Sequence, residues 1–266
     1  MLEMMPIASG SSGNCIYMGT DGTHILVDAG ISGKRAQEGL NSMGLSMDDV
    51  DAVLVTHEHS DHVKGLGVLA RKYGKPMYAT KGTIDAIMKD GSLGRIPDGL
   101  FHVIEEKRDF SIKDMEFRAV PISHDAAQPV GYIARSGGRS AAVITDLGCY
   151  DEDLLGEIKG LDILLLEANH DVRMLETGRY PYPLKMRILS ERGHLSNESS
   201  GKLLTRVLHD GTKAVFLGHL SRENNMPPLA LECVKAEITL SNTPYKGSDF
   251  PIYVARRDTP SERITA

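Results

Sequence analysis

Thr56-His57-Glu58-His59-Ser60-Asp61-His62 is the stretch on which the reading of this 266-residue chain turns. It follows the apolar run Val53-Leu54-Val55, which has the character of a buried strand, and precedes Val63-Lys64-Gly65-Leu66, which opens a helix. Three histidines and the Asp61 carboxylate thus sit on a loop at a strand end. In extended backbone, residues two apart point to the same side, so His57 and His59 can close on one cation. Asp61 and His62 fall where the chain turns into the helix and can address a second cation nearby. Imidazole and carboxylate at this density suit divalent transition metals. A single His pair would read as an ordinary polar loop; the whole HxHxDH pattern directly after a strand does not.

The pattern resembles that of the metallo-β-lactamase superfamily, and further candidate ligands stand at suitable positions. His124 ends the run Phe117-Arg118-Ala119-Val120-Pro121-Ile122, Asp146 follows Ala141-Ala142-Val143-Ile144-Thr145, and His219 follows Ala214-Val215-Phe216-Leu217-Gly218. Each lies just beyond a hydrophobic strand, where a rigid sheet edge can aim it. The resemblance implies that His57, His59 and His124 hold one metal, that Asp61, His62 and His219 hold the other, and that Asp146 bridges them. Two divalent ions sharing a water would lower its pKa towards neutrality and stabilise both attacking and leaving oxygens. The implied reaction is hydrolysis by a metal-bound hydroxide, with Asp61 also accepting a hydrogen bond from it. The ligand set suits zinc, manganese or iron.

Composition is compatible with an enzyme of this kind. A hydrophobic content of 41% supports a sizeable core in a 29.0 kDa chain. Cys15, Cys149 and Cys233 lie far apart with no CxxC, so neither a disulfide framework nor a thiolate zinc site is expected. The start lacks a basic, then apolar, leader pattern, and no run approaches the ~18 apolar residues of a membrane span. A reducing cytoplasm is the simplest compartment. The net charge of −6 at first argues against a nucleic-acid partner. A polyanion responds to the local field at the site, however, and overall charge does not settle that.

Taken in order, residues 6–30 read as two short strands around the polar loop Ala8-Ser9-Gly10-Ser11-Ser12-Gly13-Asn14. That loop is either a nest of backbone N–H groups for a phosphate or a flexible hairpin turn. Asp28 either orients the metal loop or caps Ala29-Gly30-Ile31. A helix at 31–47, a second through Leu66, Leu69 and Ala70, and a capped helix from Thr80 to Met88 follow. Strands at 100–104, 115–122, 129–135 and 139–145 come next, then a helix at 151–158 and an apolar strand from Leu161 to Leu166. Helices at 183–191, 197–208 and 227–237 alternate with strands at 213–217 and 252–255, and the charged tail from Arg256 is expected to be mobile. Two runs of strands, each followed by helices, predict an α/β protein with two sheets face to face. With the superfamily resemblance, this is a four-layer αββα sandwich forming one hydrolase domain over residues 1–266.

True β-lactamases of the superfamily would carry another residue, often Cys, at the position of Asp146, together with a signal peptide. A bridging Asp with a complete HxHxDH instead resembles the glyoxalase II and phosphodiesterase branches. Leu164-Leu165-Leu166-Glu167-Ala168-Asn169-His170-Asp171, Gly193-His194-Leu195-Ser196 and Leu217-Gly218-His219-Leu220-Ser221-Arg222 resemble, in order, the motifs of ribonuclease Z-type phosphodiesterases. That resemblance places His194 near the scissile phosphate, where an imidazole can protonate a leaving alkoxide. Without it, His194 would read as the neighbour of a helix cap.

Nearly the whole chain is similar to the YycJ/WalJ family of bacterial metallo-hydrolases. The 8–14 loop, Asp28-Ala29-Gly30-Ile31-Ser32-Gly33-Lys34-Arg35, the 56–62 loop, Tyr180-Pro181-Tyr182-Pro183-Leu184-Lys185 and Arg192-Gly193-His194-Leu195-Ser196-Asn197 carry the likeness. It implies a cytoplasmic nuclease with 5′→3′ DNA exonuclease activity and a place in mismatch repair. Lys185, Arg187, Arg192, Lys202, Arg206 and Arg222 are available for phosphate contacts, and Tyr180 and Tyr182 for stacking an unpaired base. The alternatives are a small-molecule hydrolase of a thioester, lactone or cyclic phosphodiester, or a binding module that has lost its chemistry. No ligand position is missing from the motifs, which disfavours the last. No protein partner is indicated.

Overall fold

The structure, a computed structural model, describes residues 1–266. β1 (Glu3–Ala8), β2 (Cys15–Gly19) and β3 (His24–Val27) form an antiparallel meander, so residues 6–30 hold parts of three strands where the sequence suggested two. The extra strand, β2, is buried at every position and shows no polar alternation to reveal it. α1 (Gly33–Asn41) is capped by Ser32 and leads into β4 (Ala52–Leu54). α2 (Ser60–Val63), α3 (Leu66–Tyr73), β5 (Met77–Thr80), α4 (Lys81–Asp90) and β6 (Phe101–Ile104) follow. Thr80 caps α4 through its hydroxyl, and β3 to β6 pair in parallel.

β7 (Asp109–Ile112), β8 (Met115–Pro121), β9 (Val130–Ser136) and β10 (Arg139–Ile144) pair antiparallel in a second sheet. After α5 (Glu152–Ile158), β11 (Ile163–Glu167) joins β10 in parallel. α6 (Val172–Thr177), α7 (Tyr182–Ile188) and α8 (Asn197–Val207) precede β12 (Ala214–Gly218), and α9 (Pro227–Leu240) precedes β13 (Ile252–Val254). β7 and α6 went unread because elements of four and six residues are too short to display a period.

The chain ends with β14 (Ile264–Thr265), antiparallel to β1. The expectation of a mobile tail from Arg256 is therefore wrong. Arg263 pairs with Glu3 at 2.6 Å, the Arg257 guanidinium donates to the Leu220 carbonyl, and Ala255 is buried. These long-range partners lie more than thirty residues away in sequence, where local composition cannot announce them.

The two sheets run in the orders β14-β1-β2-β3-β4-β5-β6 and β13-β12-β11-β10-β9-β8-β7. Their inner faces share one core, in which Leu2, Ile16, Ile25 and Leu54 meet Phe117, Tyr132, Val143, Leu165 and Phe216. α1, α3 and α4 cover the outer face of the first sheet through Leu40, Leu69 and Ile84, and α5, α8 and α9 cover the second through Leu155, Leu204 and Val234. The result is the expected αββα layering, and both sheets mix parallel with antiparallel pairs. Near-continuous apolar runs such as Ile163–Leu166 follow from burial on both faces. The Tyr132 hydroxyl donates to the Val55 carbonyl at 2.9 Å, and the Val130 N–H to the Thr56 carbonyl at 3.0 Å, tying the sheets together beneath the histidine loop. All three cysteines are free, and no helix is long and apolar enough to cross a membrane.

Strand directions place the site. β1, β3 and β4 run one way in the first sheet, and β8, β10, β11 and β12 share a direction in the second. The residues just past their C-terminal ends gather at one rim of the sandwich, the usual place for chemistry in open sheets.

Candidate metal centre

Every metal-ligand position read from the sequence reaches that rim. His57 and His59 follow β4, Asp61 and His62 open α2, His124 follows β8, Asp146 follows β10, and His219 follows β12. His57, His59 and His124 converge into one set of donors, and Asp61, His62 and His219 into another. His62 Nε2 stands 3.1 Å from Asp146 Oδ2, and His219 Nδ1 3.3 Å from Asp146 Oδ1, so Asp146 lies between them. Asp61 Oδ2 is 3.3 Å from His219 Nε2, and His124 Nε2 is 3.3 Å from His59 Nδ1.

The backbone is bent to make this possible. Asp28, Asp146 and His219 have φ of 62°, 56° and 53°, the left-handed region that non-glycine residues rarely occupy. All three sit just past strand ends, and the turn throws each side chain across the rim instead of along the strand. Such conformations persist where surrounding structure over-determines them, and they cluster at functional sites.

Asp28 resolves in favour of orienting the loop. Its Oδ1 accepts the Thr56 N–H at 2.8 Å, and its Oδ2 accepts His62 Nδ1–H at 2.7 Å, turning Nε2 towards Asp146. Gly30 packs so tightly beneath the loop that a Cβ there would collide with the Asp61 carbonyl. The Asp61 carbonyl accepts the Asn14 N–H, and the His62 carbonyl the Ala29 N–H, both at 2.8 Å.

Glu167, to which the sequence motif alone assigns no role, is central. This fully buried carboxylate accepts Nδ1–H of both His194 and His219 at 2.8 Å on Oε1, and the Leu147 N–H at 2.7 Å on Oε2. Its position after Leu164-Leu165-Leu166 was the available signal: a carboxylate closing a buried strand, as Asp146 stands just beyond one. Asp125 was also missed. It approaches His124 Nε2 at 3.4 Å and pairs with Arg187 at the rim.

Electrostatics follow from this density of charge. Burial alone would push Glu167 up, but the His194 charge and hydrogen bonds from His194 and His219 hold it at about 2. Burial also opposes charge on His219, yet Asp146 and the bonds to Asp61 and Glu167 raise it to about 10. His62 is likewise raised, against burial, by Asp146, Asp28 and Asp61. His57 goes the other way: burial and the neighbouring His62 keep it neutral, as a ligand nitrogen must be. Its Nε2 is buried without any hydrogen-bond partner. An orphaned imidazole nitrogen facing two other histidines fits a metal ion, because buried polar atoms are otherwise paired. The fold and the His/Asp cluster together suggest divalent metal ions.

His194 lies in the same rim. With Nδ1 bound to Glu167, Nε2 is left for the adjoining cavity of about 160 Å³, lined also by Ser11, Asn169, Tyr180, Arg187 and Ser221. Burial lowers its proton affinity, but Glu167 more than offsets this and raises it above the ordinary histidine value. Ser196 does cap α8, so the helix-cap and the site readings of this motif both describe it.

The basic residues separate. Arg187 stays at the rim, and Arg192 donates to the His124 carbonyl at 3.0 Å. Arg206 pairs with Glu152 of α5 at 2.9 Å, and Lys185 donates to the Glu176 carbonyl at 2.7 Å. Arg206 and Lys202, both on α8, do not line the cavity beside His194. Tyr182 is 71% exposed, whereas Tyr180 lines the cavity.

Residues 23–219 match the family model of the beta-lactamase superfamily domain, a span that takes in every donor above. The chain belongs to the metallo-β-lactamase superfamily. Within that superfamily it is 45% identical to exodeoxyribonuclease YycJ of Bacillus anthracis over 86% of each chain. It is 40% identical to exodeoxyribonuclease WalJ of Streptococcus pneumoniae over 95% of this chain and 94% of that one. The fold is shared with the metallo-β-lactamase fold protein YhfI of Bacillus subtilis, with a TM-score of 0.73 and 14% identity over 98% of both chains. This superfamily member is a metal-dependent hydrolase.

Proposed function

We propose that this chain is a two-metal exonuclease that hydrolyses phosphodiester bonds of DNA from the 5′ end. The observation that carries the reading is its similarity, along most of its length, to relatives named exodeoxyribonucleases. The donor geometry supports it. His57, His59 and His124 would hold one divalent cation and Asp61, His62 and His219 the other, with Asp146 facing both. Residues 1–266 would work as one domain in the cytoplasm, with DNA as the partner and zinc, manganese or iron as the metal. Bound divalent cations supply Lewis acidity to water and to the phosphoryl oxygens.

The chain's own groups do the rest. Glu167 keeps both Nδ1 atoms protonated, which aims His219 Nε2 at Asp61 and leaves His194 Nε2 towards the cavity. The Glu167 carboxylate raises the proton affinity of His194, which suits it to deliver a proton to the departing 3′-oxygen. Asp61, beside His62 and His219, is held ionised and can accept a hydrogen bond from the attacking water. Asn14 Nδ2 lies 3.1 Å from His62 Nε2 and further restricts that ring.

The test uses metal-loaded protein with 5′-labelled and 3′-labelled duplexes in parallel, at low and moderate salt, beside His194→Ala. Nucleotide release from the 5′ end that needs metal and is lost in the variant is expected. No cleavage of either strand with metal confirmed bound would overturn the reading in favour of small-molecule hydrolysis.

A further inference from the structure

A second and larger cavity, of about 550 Å³, lies beside the centre. Leu220, Ser221 and Arg222 line one side of it and Val254–Thr259 another, with Ser9 and Asn225 between. It adjoins the site through two residues. Ser9 Oγ accepts the His219 N–H at 2.8 Å, and Ser221 lines both this cavity and the one beside His194.

Two of its guanidiniums, those of Arg222 and Arg257, form no ion pair. The Arg257 guanidinium donates only to the Leu220 carbonyl and to Ser12 Oγ, at 3.5 Å for the latter. Asp258, the acidic residue in the lining, pairs with Arg35 at 3.8 Å instead. Arg256 is engaged by Glu262 at 2.7 Å, whereas Arg222 is exposed and has no carboxylate within pairing distance. Arg257 is half-buried, and burial together with the neighbouring Arg222 lowers its proton affinity, with the Asp258 charge opposing them only in part. Two guanidiniums lining one cavity of this size fit a phosphate-bearing ligand such as a nucleotide.

We propose that this cavity seats the terminal nucleotide of the strand, with its 5′-phosphate held by Arg222 and Arg257 and its 3′ side reaching past Ser221 to the centre. The idea rests on the nuclease reading and deepens it: a phosphate clamp at the end of the path makes the enzyme start from an end. The tail, docked by β14, is then part of the binding site.

Two measurements separate this proposal from the reading beneath it. The first is equilibrium binding of thymidine 5′-monophosphate and of thymidine to metal-loaded wild type, Arg222→Gln and Arg257→Gln. Melting temperature and metal content serve as controls for folding. The monophosphate should bind and thymidine should not, and each variant should lose roughly tenfold in affinity, the size of one charge-assisted contact. The second is cleavage of one oligonucleotide bearing either a 5′-phosphate or a 5′-hydroxyl. Wild type should show a KM roughly tenfold lower for the phosphorylated end. In the variants the two KM values should converge, with the loss in KM and not kcat. Equal monophosphate binding by all three proteins, or an end preference that survives both substitutions, overturns the pocket. Arginine-dependent binding without cleavage of either oligonucleotide overturns the nuclease reading and leaves a site for free nucleotide.

Discussion

Glu167→Gln is the most informative single change. Glu167 accepts four hydrogen bonds, from Nδ1 of His194 and His219 at 2.8 Å and from the N–H groups of Leu147 and Leu195 at 2.7 and 3.2 Å. Glutamine keeps the shape and replaces one oxygen with a donor. In one orientation the new NH₂ faces two backbone N–H groups; in the other it faces two imidazole N–H groups. Either way two bonds are lost, and with them a fully buried charge. Hydrogen bonds to charged groups contribute about 1.5–3 kcal/mol each, so about 3–6 kcal/mol is at stake. Removing the partner that orients a metal-binding histidine costs about 10–100-fold in metal affinity. The remainder should appear as a loss in kcat/KM of about 10–100-fold at saturating metal, since His194 is released as well. Titration against a chromophoric chelator reads the first effect and end-labelled DNA the second. A variant that only melts earlier, with metal affinity and kcat/KM unchanged, would refute the orienting role and leave Glu167 a core residue.

Gly30→Ala should dislodge the histidine loop, because the added methyl meets the Asp61 carbonyl. A cost of about 1–3 kcal/mol in urea unfolding, together with weaker metal binding, is expected, and wild-type values for both would count against the close packing. Away from the site, hydrogen bonds from Ser140 and Arg139 outweigh burial and hold the Asp162 carboxyl below the usual range. A depressed folded pKa gives stability that is present above the unfolded value of about 3.9 and is lost as pH falls through the folded one. The stability gap between wild type and Asp162→Asn should therefore narrow from pH 6 to pH 2.5, and a constant gap would discard the assignment. Dialysis against a chelator should lower the melting temperature, because cations that bind the assembled centre and not the unfolded chain stabilise the fold by mass action. Added zinc or manganese should restore it.

What the sequence disclosed and withheld has a physical pattern. That His57, His59, Asp61, His62, His124, Asp146 and His219 would gather was legible because the 57–62 cluster and each of the other three follow a buried apolar run, and strand ends are where a sheet delivers side chains to a common rim. Glu167 ends such a run too, but a lone carboxylate carries no spacing signal, and its partners His194 and His219 lie far along the chain. The layering was legible from strand runs alternating with helices. The docked tail was not, since Arg257, Arg263 and Ile264 find their partners in Leu220, Glu3 and Met4, contacts that only the closed fold creates. Basic residues misled in the same way. Lys202 and Arg206 are neighbours of His194 in the chain, yet both lie on α8, and Arg206 turns to Glu152.

The left-handed turns at Asp28, Asp146 and His219 bear on how this protein can change over generations. A non-glycine residue there costs of order 1 kcal/mol or more, least for Asp and Asn. Glycine would relieve the backbone at each position while deleting a donor or its orienting partner, and asparagine at the two aspartates would keep the turn while removing the charge. The centre is therefore poised beside sequences that fold more firmly and do less. A lineage released from selection for activity should drift first at these three strand ends, keeping its sandwich intact, and substitution there would mark a descendant that has kept the scaffold and abandoned the reaction.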